Sequence, residues 1–328
     1  LYSSAASDVY KRQAMDNTIK PFKVHVSDAD IADLKQRLHL TRWPDQIPNT
    51  EWRYGAKTGY IQQLCDYWQH HYDWRKHEAR LNQFAQFTTR IDAHEIHFIH
   101  ARSKHANAVP LLISHGWPGT IVEFLNVIDP LTNPEAHGGK AEDAFHVVCP
   151  SLPGYGFSGT TQREQVDTLA MAEMFAELMA RLGYKKYIAQ GGDWGAIITS
   201  NLAIVDADHL YGIHLNMPFG YALTEDPHEG LSPQEIDDVN DMSSFEAMET
   251  GYQKIQGTKP QTLGVGLNDS PAGLCAWITE KFYTWMDCDG DIESVLDKDD
   301  LLTNISVYWF TQSICLSLIH ISEPTRPY

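Results

Sequence analysis

The sequence is short of positive charge, of paired cysteines and of long apolar runs, and each shortage removes a class of function. Its 328 residues hold 25 Lys+Arg against 43 Asp+Glu, a formal charge of -18 at pH 7. That excess repels phosphate backbones and anionic lipid, so small neutral molecules, not nucleic acid, are the expected partners. Five cysteines (Cys65, Cys149, Cys275, Cys288 and Cys315) form no CxxC and no Cys/His ladder. An odd, scattered set argues against a disulfide framework or a structural zinc and for a reducing compartment. No apolar run reaches the roughly 20 residues of a membrane helix, and no secretory leader is recognisable. A soluble, cytoplasmic protein without a membrane anchor is the resulting expectation. Repeats and low-complexity tracts are missing too. What is there, 43% hydrophobic and 11% aromatic residues, suffices for one large core or a core with a lid.

Two end stretches look foreign. LYSSAASDVYKRQ (1–13) and LSLIHISEPTRPY (316–328) resemble translated adapter or vector read-through, the alternative being a genuine tail and a genuine final strand. They are expected to be a non-native leader and tail, which would cut the natural chain short near Ile314. Between them, an N-terminal segment (14–105), a core (106–219) and a helical lid (220–315) are expected. DADIADLKQRLHL spaces Ile31, Leu34 and Leu38 at helical intervals behind a Ser27/Asp30 capping pattern. A loop rich in Pro, Trp and Asn leads to a second predicted helix at 58–71, with Ile61, Leu64, Tyr67 and Trp68 on one face.

TTRID and IHFIHA read as a hairpin, and 109–115, 144–151, 186–190 and 210–216 as further strands. Helix-like VEFLNVIDPL, LAMAEMFAELMARLG and AIITSNLAIV lie between the later ones. Strands alternating with helices predict an α/β fold, a largely parallel sheet with helices on both faces. Ligands of such sheets sit at the strand carboxyl ends, where HGWPG, PSLPGYGFSG and GGDWG fall. Beyond Pro218, residues 220–241 read as acidic and turn-rich, followed by lid helices at 244–255, 271–285 and 300–310.

GGDWG (191–195) follows a strand and precedes a helix, a spacing in which flanking glycines allow the sharp turn that pushes a central nucleophile into a cleft. The central residue is Asp193; from spacing alone it is equally a helix N-cap aspartate. HGWPG (115–119) follows the strand before the first core helix. Its Trp117 N–H and the Trp194 N–H could aim at one spot as an oxyanion hole, or HGWPG is only a tight turn set by Pro118.

HGWPG, PSLPGYGFSG, GGDWG, HLNMP and the lid stretch GYQKIQGTKPQTLGVGLNDSPAGLCAWITEKF together resemble the microsomal-type epoxide hydrolases of the α/β-hydrolase fold. IKPFKVHVSDADIADLKQRL followed by TRWPD is similar to that branch's N-terminal domain, so the likeness runs from about residue 18 to 314. It implies a small lipophilic epoxide and water as substrates, with no cofactor and no metal. It also accounts for the aspartate, since a carboxylate is already anionic at neutral pH and can open an epoxide directly. Carried over residue by residue, it implies Asp193 as nucleophile, Trp117 and Trp194 as oxyanion donors and Tyr252 as the first lid tyrosine. Tyr252 is otherwise one of 15 tyrosines, most of them packing residues. His115 is expected to brace its turn and Ser158 to be a loop residue.

In the resembled family the second lid tyrosine, the acid and the histidine follow a stretch like NISVYWFTQSI, which here runs straight into the suspect tail. His209, His214 and His228 fall in unsuitable contexts, and His320 belongs to that tail. The fold is thus expected to be incomplete at its C-terminus and the chain to be unable to turn over. The competing readings are a haloalkane dehalogenase, which shares the Asp-Trp pair but needs no lid tyrosine, and a non-catalytic small-molecule-binding relative.

Overall fold

The alternating apolar runs become seven strands of one sheet in a computed structural model that describes residues 17–161, 166–220, 226 and 228–315. The suspected leader and tail, His320 included, lie outside the described residues. In chain order the strands are β1 (Lys20–Phe22), β2 (Gln86–Ile91), β3 (His94–Ala101), β4 (Val109–Ser114), β5 (Phe145–Pro150), β6 (Tyr187–Gly191) and β7 (Leu210–Leu215). Their spatial order is β1-β2-β3-β5-β4-β6-β7. Strands β5, β4, β6 and β7 run parallel, whereas β1, β2 and β3 are antiparallel to their neighbours. The α/β-hydrolase expectation therefore holds as a mixed, mostly parallel sheet, with strands drawn from both sides of residue 105.

Local chemistry explains the hairpin. Asp92 and Ala93 both have positive φ, 46° and 66°, the backbone hand that lets a two-residue turn match the twist of its strands. The central strands are sealed on both faces: Leu112, Val147, Val148, Cys149 and Ala189 have no accessible surface, as parallel strands under helices require. By contrast β7, at the sheet edge, leaves Tyr211 65% and Ile213 40% exposed.

Helices flank the sheet: α1 (Asp28–His39), α2 (Thr58–His70), α3 (Trp74–Leu81), α4 (Leu125–Thr132), α5 (Thr168–Arg181) and α6 (Trp194–Val205). The lid carries α7 (Pro233–Glu249), α8 (Gly251–Thr258), α9 (Pro260–Asp269), α10 (Pro271–Trp285) and α11 (Lys298–Thr311). The Ser27 hydroxyl accepts the Asp30 N–H, so the expected cap forms, and α1 buries Leu34 and Leu38. Helix α2 buries Ile61, Leu64 and Trp68, but Tyr67 turns aside to give its hydroxyl to Asp299.

Two helical readings need correction. The segment read as turns at 220–241 already enters α7 at Pro233, capped by a reciprocal Ser232/Glu235 pair. Helix α7 buries no residue, and its apolar Ile236, Val239, Met242, Phe245 and Met248 recur every third residue, so they wind round the helix instead of lining one face. The single helix read at 244–255 is broken at Thr250, where α7 ends and α8 begins. Helix α3 was not anticipated; Asp73 caps it through the Arg75 N–H.

The N-terminal segment is bolted to α11. The Trp68 indole donates to the Ser306 hydroxyl at 3.1 Å and the Tyr72 and Thr303 hydroxyls pair at 2.9 Å, both pairs buried. Glu78 adds an internal brace, accepting the Val26 N–H at 2.7 Å while paired with Arg75. Among the described residues no helix is long and apolar enough to cross a membrane.

Trp68 is 1% exposed and joins two segments distant in sequence. Trp68→Ala should lower unfolding stability by about 3–5 kcal/mol, the range for truncating a buried aromatic, read from the midpoint of urea denaturation. A loss under about 1 kcal/mol would mean the two segments hold together without it.

Candidate active site

Parallel pairing brings the two glycine turns together. Strands β4 and β6 are neighbours with Ser114 opposite Gly191, so HGWPG and GGDWG leave the sheet side by side at its carboxyl edge. At the second turn Asp193 adopts φ 53° and ψ -130°, a region that costs a non-glycine residue about 1–3 kcal/mol and persists only when its surroundings enforce it. Here packing enforces it. A Cβ on Gly191 would lie 2.0 Å from the Gly195 carbonyl oxygen, and one on Gly195 would lie 2.1 Å from that of Ser114. Only hydrogen fits either place, so α6 starts directly against β4.

The turn lifts the Asp193 side chain onto Gly116, where an added Cβ would sit 2.1 Å from Oδ1. The Trp117 N–H donates to that Oδ1 at 2.7 Å, and the Trp194 N–H also acts on the carboxylate. Burial raises the Asp193 pKa, while these two amides pull it back down. The sequence-predicted Asp193, Trp117 and Trp194 thus meet at one point. Asp193 makes no side-chain cap to its helix, which separates it from an ordinary N-cap aspartate.

Tyr252, on α8, closes the cleft from the lid. Its ring stacks on Trp117 with centroids 5.1 Å apart and lies 5.2 Å from the ring of Trp285. Lys281 Nζ stands 4.8 Å from the centre of the Tyr252 ring and is ion-paired with Glu280 at 2.7 Å, a cation–π contact on the lid side. Burial raises the tyrosine's pKa, with the Asp193 charge acting in the same direction and Gln253, which donates to its hydroxyl at 3.0 Å, opposing. The Trp117 and Trp285 indole N–H groups are buried without a hydrogen-bond partner among the described residues.

His115 behaves as a brace. Its Nε2 accepts the Leu152 N–H at 3.2 Å and its Nδ1 lies 3.0 Å from the Gly116 carbonyl, so Nδ1 carries the proton. Full burial pushes its pKa down to about 4, leaving a neutral ring tied to the third glycine turn. Ser158 is a loop strut: its hydroxyl donates to the Ser151 carbonyl at 2.7 Å and accepts the His97 N–H at 3.0 Å.

Sequence reasoning missed the grip of α11 on the first turn. Asn304 Nδ2 donates to the Pro118 carbonyl at 2.7 Å, the Thr120 hydroxyl donates to Asn304 Oδ1 at 2.8 Å, and the Tyr308 hydroxyl donates to the Gly119 carbonyl at 2.8 Å. The first and third consume carbonyl acceptors of the HGWPG turn, in which the Trp117–Pro118 peptide is cis. The stretch NISVYWF was the available signal, but nothing in it said which turn it would touch. Among the described residues no hydrogen bond joins a histidine to Asp193; His209 instead pairs with Asp206 at 2.6 Å. No group of three or more His, Cys, Asp or Glu could hold a metal ion among them.

Residues 19–124 match the family model described as epoxide hydrolase N terminus, and residues 109–260 match that of the alpha/beta hydrolase fold. A relative in Stigmatella aurantiaca, named for epoxide hydrolysis, is 48% identical over 299 residues, 91% of this chain and 68% of its own length. Epoxide hydrolase 1 of Oryctolagus cuniculus is 39% identical over 332 residues, 94% of this chain and 73% of the relative. The chain belongs to the microsomal-type epoxide hydrolases. Among solved structures, juvenile hormone epoxide hydrolase from the silkworm Bombyx mori aligns with a TM-score of 0.87 at 35% identity, covering 97% of this chain and 80% of that one. The Aspergillus niger epoxide hydrolase aligns at 0.83 and 33% identity, covering 95% and 80%.

The closeness of Gly195 to β4 sets a steep requirement. Gly195→Ala should cost about 3 kcal/mol or more, since the methyl meets backbone that cannot give way; guanidinium denaturation with a near-ultraviolet circular dichroism readout checks it. A variant as stable as the parent would show that α6 can shift away from Ser114.

Proposed function

We propose that Asp193 is the nucleophile of this epoxide hydrolase chain, attacking a ring carbon of a small lipophilic epoxide. One carboxylate oxygen forms a bond to that carbon as the carbon–oxygen bond of the ring breaks, and the ring oxygen leaves with the electron pair as an alkoxide. Tyr252 donates a hydrogen bond to that oxygen and passes it the phenolic proton, which solvent restores, so that the oxygen ends as the hydroxyl of a hydroxyalkyl ester. In the second half-reaction water, giving its proton to a base that the described residues do not supply, would attack the ester carbonyl while the Trp117 and Trp194 N–H groups hold the oxyanion, and the diol would depart with that proton. The observation that carries the reading is the Trp117 N–H on Asp193 Oδ1 at 2.7 Å. A donor already on the carboxylate stands where the ester's carbonyl oxygen will develop charge. The wall of Trp117, Tyr252 and Trp285 supports a lipophilic substrate; relatives named for juvenile hormone epoxide are compatible with that class.

With no histidine bonded to Asp193 among the described residues, the first half-reaction is the one these residues supply, and the ester should accumulate. Incubation with styrene oxide followed by intact mass spectrometry should show one adduct per chain, localised to Asp193 by peptide mapping. Asp193→Asn should abolish it, and an adduct persisting in that variant would overturn the nucleophile's assignment. Tyr252→Phe should slow its formation by about 100-fold, the scale for losing one donor to a developing oxyanion.

Acid sensitivity follows from the raised carboxyl. Only the anion attacks, so adduct formation is lost as pH falls through the Asp193 pKa, and burial moves that loss above the pH of about 3.9 at which an exposed aspartate titrates. A rate profile over acidic pH checks this; a midpoint at or below the ordinary aspartate value would contradict it.

A further inference from the structure

A buried cation stands on the lid tyrosine, and the reaction as described does not use it. Helix α10 starts at its Ser270 cap and turns an apolar face inward, burying Leu274, Cys275 and Ile278. Lys281 is buried as well, 5% exposed, although a lysine amine ordinarily reaches past its neighbours into water. Two rings flank it instead. Its Nζ is 4.8 Å from the centre of the Tyr252 ring on α8 and 5.7 Å from that of Trp285, which lies one helical turn further along α10. The pair with Glu280, at 2.7 Å, compensates the burial of its charge. The Glu280 side chain is 21% exposed and that of Lys281 6%, so water screens the carboxylate more than the ammonium and a positive field remains on the ring.

We propose that Lys281 is a positioning residue of this centre, its ammonium on the face of Tyr252 stabilising the tyrosinate that forms when Tyr252 gives its proton to the epoxide oxygen. The inference rests on the reading of Asp193 as nucleophile and of Tyr252 as proton donor. The phenol needs such help. Burial makes its proton harder to release, and the Asp193 charge acts in the same direction. The Gln253 amide, donating to the hydroxyl at 3.0 Å, opposes both; Lys281 adds a full positive charge on the ring itself. A tyrosinate draws the ammonium more strongly than a phenol does, because a whole negative charge joins the quadrupole of the ring. The contact therefore tightens as the proton leaves, and an interaction that strengthens on the way to the transition state lowers the barrier. No bond to Lys281 forms or breaks, and solvent returns the proton to Tyr252.

A lysine that only packed two rings together could be exchanged for methionine without slowing the reaction, since the stem is kept and the charge alone is lost. Adduct formation with styrene oxide in the full chain, followed over time by intact mass spectrometry, should instead slow roughly tenfold in Lys281→Met. Lys281→Arg returns a cation to the ring and should recover to within about threefold of the parent. With Tyr252→Phe there is no phenolic proton to release, so adding Lys281→Met to that variant should slow it by less than about twofold. A Lys281→Met rate equal to the parent's, a Lys281→Arg rate as low as that of Lys281→Met, or an undiminished loss in the Tyr252→Phe background overturns the role given to Lys281. Where Lys281→Met does not fold by circular dichroism, Lys281→Gln takes its place with the same expected rates. A parent chain that forms no Asp193 adduct overturns the nucleophile's assignment and this role with it, whereas an Asp193 adduct made equally fast without the Lys281 charge overturns this role alone.

Discussion

The contact on which the site depends is the 2.7 Å hydrogen bond from the Trp117 N–H to the Asp193 carboxylate. It joins two turns 76 residues apart and can form only because side chains are missing from both. Gly191 and Gly195 let α6 press onto β4, and Gly116 lets the carboxylate lie flat against the first turn. The strained φ of Asp193 is held by this packing of backbone against backbone. Burial alone would make Asp193 harder to ionise; the two turn amides offset part of that cost while leaving the carboxylate accessible from the cleft.

A chain of supports keeps those amides aimed. Helix α11 takes the Pro118 and Gly119 carbonyls through Asn304 and Tyr308, so the opposite edge of the turn is occupied and its N–H groups face inward. The N-terminal segment in turn holds α11 through Trp68, Tyr67 and Tyr72. The matched N-terminal region is thus linked by contacts to the proposed site: α2 bonds to α11, α11 to HGWPG, and HGWPG presents its amide to Asp193.

Much of the fold was legible because its signals are local. Apolar β-type runs bounded by turns located β2 to β7 to within two residues, while the three-residue edge strand β1 was missed; the Ser27/Asp30 cap and, apart from Tyr67, the α2 stripe followed from residue spacing. The first turns of helix α7 escaped because its apolar residues wind round it instead of lining one face, and the split at Thr250 because no apolar period marks it. That Asp193, Trp117 and Trp194 would meet, with Tyr252 across the cleft, was legible through the resemblance; spacing by itself left Asp193 indistinguishable from a helix cap. The parts of Asn304 and Tyr308 were not, since each acts through a partner far away in sequence.

The sequence by itself determined the glycine positions, the strand order along the chain and the acid in the turn, because backbone sterics and residue periodicity act over a few residues. Which amide reaches which carboxylate was left to the tertiary structure. That choice arises only when β4 and β6 pair in parallel at the register of Ser114 and Gly191, a long-range contact no local pattern encodes.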